Sequence, residues 1–185
     1  MSHRSQNAPR SPAVILFGLI FAAVLSLYGL TLAPGVVGGD AGEHQLAVPL
    51  LGIPHTTGYP LYVLTGKLWT LLLPVGSMAW RMNLFSALGG ALAAATTALA
   101  IYRLASPQRV GWPGAVVGGL ALACGLMLWQ WSTIAGVRSF NIFFFALLTL
   151  LAVIWVDQRR QGQTEAATRT LRWLALVIGL SLAHH

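Results

Sequence analysis

The chain reads as an all-α, polytopic helical membrane protein, with about five transmembrane helices and a long external loop carrying short interfacial helices. Two observations lead there. Of its 185 residues 56% are hydrophobic and 8% charged, against roughly 25% charged in an ordinary soluble domain. The apolar residues also gather in runs that approach the roughly 20 residues needed to cross a bilayer. The pI of about 10.8 and net charge of +7 do not point to nucleic acid, because the basic residues are scattered between spans as orientation signals rather than gathered in a stripe.

The first element is an apolar segment over 13–33, behind an N-terminal tail (1–12) that carries Arg4 and Arg10. It exceeds the roughly 7–15 residues of a signal-peptide core, so it is expected to be a retained helix. Further spans are expected at about 81–104, 112–131, 140–156 and 171–185. The small residues Ser86, Ala87, Gly89, Gly90, Ala91 and 93–95 in the second span permit close helix packing. The stretch 59–73 is too short to cross, with Gly66 and Lys67 inside it, and suits an interfacial helix.

Charge sets the orientation. If 59–73 does not cross and the N-terminus is cytoplasmic, Arg4, Arg10, Arg103, Arg109, Arg159, Arg160, Arg169 and Arg172 all lie inside, and only Lys67, Arg81 and Arg138 lie outside. The positive-inside rule prefers this arrangement. Residues 34–80 then form an external loop on a multi-pass chain, expected in a bacterial cytoplasmic membrane. Pro49, Pro54 and Pro60 divide that loop, leaving a short helix from Ala41 to about Val48, a turn-rich stretch 52–60 and the interfacial helix. The single cysteine, Cys124, offers no disulfide or thiolate metal site and is expected to be a small buried hydrophobe. Trp69, Trp80, Trp112, Trp129, Trp131 and Trp173 sit near span ends, as interfacial anchors do.

Two of the four carboxylates, Asp40 and Glu43, stand three residues apart in the external loop beside His44; Asp157 and Glu165 lie among arginines on the other side. Asp-Ala-Gly-Glu fits a capping box, with Asp40 as N-cap and Glu43 returning to its backbone donor. The same carboxylates could face a substrate and act as a base. His55 and Tyr59 sit in the rigid turn and could shape a sugar or phosphate pocket. Lys67 and Arg81 are cations that could pair with a phosphate, Arg81 bidentately and Lys67 as a point charge; the alternative is snorkelling to the interface, which for Lys67 weighs at least as much. His184 and His185 fall on the same side as Asp40. No phosphate-binding glycine loop, zinc-type His/Glu pairing or Ser-His-Asp pattern occurs, and no span carries the central acidic residue of a transporter.

The runs Thr31–Glu43 (TLAPGVVGGDAGE) and Leu51–Tyr62 (LGIPHTTGYPLY) resemble the N-terminal signature of a GT-C membrane glycosyltransferase family. That family is glycosyltransferase family 117, protein O-mannosyltransferase-like, formerly domain-of-unknown-function 2723. Arg81–Ala87 and Gly179–His185 continue the likeness, which covers most of the chain from about Leu27 and corresponds to the N-terminal part of such enzymes. The chain departs from the family at Thr56-Thr57, where two prolines are common, and at Gly136 and Arg138, where a glutamate and a tyrosine are common.

The resemblance implies a GT-C-like N-terminal half that helps move a sugar from a polyprenyl-phosphate donor to an acceptor protein or glycan at the outer face. Asp40 stands where the catalytic base is expected, with Glu43 next; His44, His55, Tyr59, Lys67, Arg81 and His184 are the substrate-binding candidates. No cofactor is expected, the lipid-linked sugar being a substrate; a divalent metal is left open, with no metal ligands assigned. Partners are membrane lipids, the polyprenyl-phosphate sugar and the acceptor, and no nucleic acid. The competing class is a non-catalytic membrane module that binds a lipid phosphate or a partner subunit.

Overall fold

The computed structural model describes residues 11–105 and 111–184. Arg4, Arg10, Arg109, His185 and most of the expected N-terminal tail lie outside them. The described residues form helices and connecting turns, with no strand among them: α1 (Ser11–Leu30), α2 (Asp40–Ala47), α3 (Pro60–Leu72), α4 (Met78–Ala105), α5 (Gly111–Cys124), α6 (Leu126–Ser132), α7 (Arg138–Arg160) and α8 (Thr164–His184). Four of these, α1, α4, α7 and α8, are long and apolar enough to cross a membrane, and the bent pair α5–α6 makes a fifth candidate. The protein is a multi-pass helical membrane protein.

Helix α4 is the hub. At 28 residues it extends about 40 Å, and α1, α5 and α7 pack around it, with α8 laid on α7. The close packing follows from its small residues. Ala87, Ala91, Ala93, Ala94, Ala95 and Ala98 have no exposed surface. A methyl group at Gly89 would stand 2.8 Å from the Phe140 ring, and one at Gly90 would stand 2.9 Å from the Tyr28 ring. Lipid, not water, is the solvent for the outer faces, which leave Leu19, Phe145 and Leu182 exposed. Within the hydrocarbon the backbone has to satisfy itself, and helices do that.

Several expectations shift. The span expected at 112–131 is two helices meeting at 63°. Gly125 there takes an extended backbone (φ −62, ψ 130) and starts α6 afresh, a break that glycine tolerates well. Cys124 is exposed rather than buried: Ala115, Gly119 and Ala123 form the buried stripe of α5, and the next residue is rotated about 100° away from it. Helix α7 runs past both ends of its apolar window, and α8 begins at Thr164, because helices continue through the polar interface where hydropathy falls. Helix α3, at 13 residues, is about 20 Å long, shorter than a bilayer core.

A second, smaller core builds the loop end. Val48, Tyr59, Tyr62, Val63, Met82, Phe85, Ala135 and Val137 cluster there, joining α2, α3, the start of α4 and the α6–α7 connection. Gly66 lets α3 approach, since a methyl at that position would stand 2.6 Å from Val48.

Candidate active site

Two polar side chains on α4 decide where the loops go. Asn83 is fully buried. Its Nδ2 donates to the carbonyls of Ala33 (2.8 Å) and Gly35 (3.3 Å), while its Oδ1 accepts from Gln45 Nε2 (2.7 Å) and the Ala135 N–H (2.8 Å). Gln45 Oε1 in turn accepts from the Val37 N–H at 3.1 Å. One turn on, Ser86 Oγ accepts from Gly136 N (2.9 Å) and donates to Gly136 O (3.2 Å). The loop after α1, helix α2 and the α6–α7 connection are thereby tied to one rigid helix. A buried amide with every group paired is strongly orienting, because an orphaned partner would cost about 1–3 kcal/mol.

Between these elements lies a cavity of about 380 Å³. Its walls include Asp40 and His44 of α2, His55 and Tyr59 of the turn, Trp131 of α6, and Arg138 and Asn141 of α7. Gly39 opens α2 with φ +66, a left-handed backbone that suits glycine. The capping box does not form: no side chain caps this helix, Asp40 is its first residue, and the helix is entered through the backbone of Gly39. Both carboxylates are therefore available for other partners.

Glu43 is taken by His55. Its two oxygens accept from the His55 backbone N–H at 2.7 Å and lie 2.5 Å from Nδ1. The ring hydrogen bond from His55, followed by the backbone one, holds the Glu43 carboxyl below its ordinary range. The same bond raises His55. A carboxylate so occupied is a poor proton acceptor. Asp40 is different: its side chain is 58% exposed and, among the described residues, its one ionic contact is Arg138, at 3.7 Å. Arg138 sits over the Trp131 ring, its guanidinium carbon 3.7 Å from the ring centre, a cation–π seat that holds the fork at the cavity wall.

His44 is buried, and its Nδ1 lies 2.6 Å from the Asp40 carbonyl. A carbonyl only accepts, so Nδ1 carries the hydrogen. Burial lowers the His44 pKa, which keeps the ring neutral and leaves Nε2 as an acceptor with no hydrogen-bond partner among the described residues. His184 Nδ1 pairs with Asn141 Oδ1 at 2.9 Å, so the end of α8 reaches the cavity through Asn141.

Of the sequence-derived candidates, Asp40, His44, His55 and Tyr59 come together on the cavity wall. Glu43 stands behind His55, and His184 behind Asn141. Lys67 and Arg81 lie elsewhere: Lys67 Nζ donates to Pro49 O at 2.6 Å, and Arg81 closes the α3–α4 turn through the carbonyls of Thr70, Val75 and Gly76. Arg138, Trp131 and Asn141 are the wall residues that sequence reasoning missed. The signal for Arg138 in the sequence is that it is one of only three cations expected on the outer side. Among the described residues, no group of three or more His, Cys, Asp or Glu side chains is arranged to hold a metal ion.

Residues 40–185 match the sequence profile of the protein O-mannosyl-transferase TMEM260 N-terminal domain. The chain is 40% identical over 134 residues to protein O-mannosyl-transferase TMEM260 of Mus musculus, covering 72% of this chain and 18% of that protein. It is 28% identical over 149 residues to the Dictyostelium discoideum protein of the same name, covering 80% of this chain and 18% of that protein. The chain thus spans about a fifth of the length of the curated relatives it matches. No solved structure shows significant similarity. With the match beginning at Asp40 and taking in every wall residue of the cavity from there on, the chain belongs to the TMEM260 N-terminal domain family.

Proposed function

We propose that the cavity is the donor and base site of a membrane glycosyltransferase, which moves a sugar from a polyprenyl-phosphate donor to a hydroxyl of an acceptor protein. The names of the relatives favour mannose as the sugar and protein as the acceptor. The observation that carries the reading is that a half-exposed carboxylate, Asp40, and a guanidinium seated over Trp131, Arg138, line the same small cavity with only a 3.7 Å contact between them.

In the reaction, the acceptor oxygen attacks the anomeric carbon. The new C–O bond forms as the bond to the phosphate oxygen breaks, and its electron pair leaves with the lipid phosphate. Asp40 takes the hydroxyl proton, and Arg138 neutralises the charge growing on the phosphate. The Asp40–Arg138 pair suits this division of labour. At 3.7 Å and about half exposed it is weak, so an incoming phosphate can draw the bidentate fork away and leave Asp40 to accept a proton. His44 orients Asp40 through its backbone carbonyl.

The cavity belongs on the non-cytoplasmic face. Arg103, Arg159 and Arg160 lie at the ends of α4 and α7 remote from Asp40, and the arginine bias directs that end to the cytoplasm. The relatives are eukaryotic, which gives a bacterial membrane no support.

The test is transfer from a polyprenyl phosphomannose to an acceptor peptide, wild type against Asp40→Asn, with donor binding followed in parallel. Loss of transfer with donor binding intact is expected. Transfer unaffected by Asp40→Asn removes Asp40 from the base role, and tight donor binding without transfer in the wild type makes the chain a binding module instead.

A further inference from the structure

Glu43 is the unexpected member of the cluster. It is an acidic residue next to the candidate base, yet it does not line the cavity; it spends both oxygens on one residue, His55. We propose that Glu43 is a positioning residue, clamping His55 on the cavity wall so that the His55 ring and Arg138 form a two-sided seat for the anionic phosphodiester of the donor. This rests on the donor reading above and adds to it a second cation and the residue that governs it.

The geometry supports each step. The clamp is bidentate, to the backbone N–H and to Nδ1, so ring and chain are fixed together. The ring plane is set further by edge contacts with His44 (5.7 Å) and Tyr59 (5.6 Å). With Nδ1 committed to Glu43, the hydrogen gained on protonation sits on Nε2, which is in a long hydrogen bond (3.4 Å) with the hydroxyl of Tyr59, another wall residue. Charge on the wall then depends on His55. Arg138 is offset by Asp40, and the counter-charge of His55 sits behind the wall. A protonated His55 therefore offers the cavity wall a charge-assisted donor on its second ring nitrogen, while its counter-charge, Glu43, is held on Nδ1 and does not line the cavity.

The groups around His55 are Glu43, Asp40 and His44 from α2, Tyr59 before α3 and Arg138 from α7. The Glu43 hydrogen bond is the largest influence and favours the imidazolium; partial desolvation opposes it, Asp40 supports it and Arg138 opposes it. His55 thus keeps its proton to higher pH than an ordinary histidine and loses it as pH rises further. Anion binding weakens in the same direction.

The experiment measures binding of a short-chain polyprenyl phosphomannose, a phosphodiester of constant charge, to the full chain in detergent between about pH 5.5 and 8.5, the range in which histidines titrate. Imidazole nitrogen NMR shifts report His55 ionisation separately. In the wild type, affinity falls about tenfold as His55 deprotonates, the worth of one charge-assisted hydrogen bond. Glu43→Gln moves that fall to lower pH, Glu43→Asp returns it towards the wild-type position, and His55→Gln binds weakly with no step. An unchanged midpoint in Glu43→Gln, or a surviving step in His55→Gln, overturns this inference and leaves the donor reading standing. No binding by the wild type at any pH overturns both. If Glu43→Gln does not fold, His55→Gln alone decides, by keeping or losing the step.

Discussion

Asn83 and Asp40 are both polar residues at the loop end of the bundle, and they are treated in opposite ways. Asn83 is fully buried with four hydrogen bonds reaching three segments. Asp40 is more than half exposed, with one ionic contact at 3.7 Å. A saturated polar group fixes geometry, since any movement orphans a partner. An under-paired one at a cavity wall keeps its hydrogen-bonding capacity for a ligand. The contrast extends along the molecule: Ser86 and Gln45 belong with Asn83, Arg138 with Asp40. Rigid, satisfied polarity on α4 holds loose, available polarity in place.

The largest effect tests the available side of that contrast. Asp40→Asn is expected to lower the transfer rate by about 10²–10⁴-fold, the usual worth of a general base, with a melting temperature close to wild type; a large loss of stability would put Asp40 on the Asn83 side instead. Next comes the saturated side. Asn83→Ala orphans the Ala135 N–H and the Ala33 carbonyl, and is expected to cost on the order of 3 kcal/mol, read as a lower melting temperature in detergent, with activity falling only in proportion to the unfolded fraction.

Arg138→Ala should weaken donor binding about 10- to 100-fold, as expected for a charge-assisted bidentate contact. Arg138→Lys should recover part of it, because an ammonium keeps the charge but loses the fork and the stack. Equal binding by all three proteins would remove Arg138 from the seat. The smallest effect belongs to its support: Trp131→Leu removes a partly exposed cation–π contact worth about 0.5–1 kcal/mol, so donor affinity should fall about two- to fivefold by titration. A tenfold or larger loss would mean that Trp131 touches the ligand itself.

Much of this was legible in the sequence because it depends on local pattern. Hydropathy located the long helices, proline spacing divided the loop into α2, a turn and α3, and the signature GGDAGE with PHTTGYP brought Asp40, His44, His55 and Tyr59 into consideration together. The misreadings came from partners the local pattern does not contain. Glu43 three residues after Asp40 has the form of a capping box, yet its partner is His55. Lys67 and Arg81 have the right charge for a phosphate, yet backbone carbonyls claim both. Cys124 lies in an apolar run, and only the rotation of α5 shows that it faces out.

What the sequence determined by itself is the class: helices crossing a membrane, with a polar loop gathered at one end, as composition and run length require when the backbone must satisfy itself in lipid. The tertiary structure alone decided which side chains share a wall. The contacts that build the cavity join distant segments, such as Asn83 to Ala135 across 52 residues and Ser86 to Gly136 across 50. Helical periodicity reports which face of an element is apolar, but not which distant residue will meet it. Arg138 meets Asp40 because α4 has small side chains that let α7 come close, and because Asn83 and Ser86 tie the connection before α7 to the helix that also holds Gln45 of α2 and the loop before it.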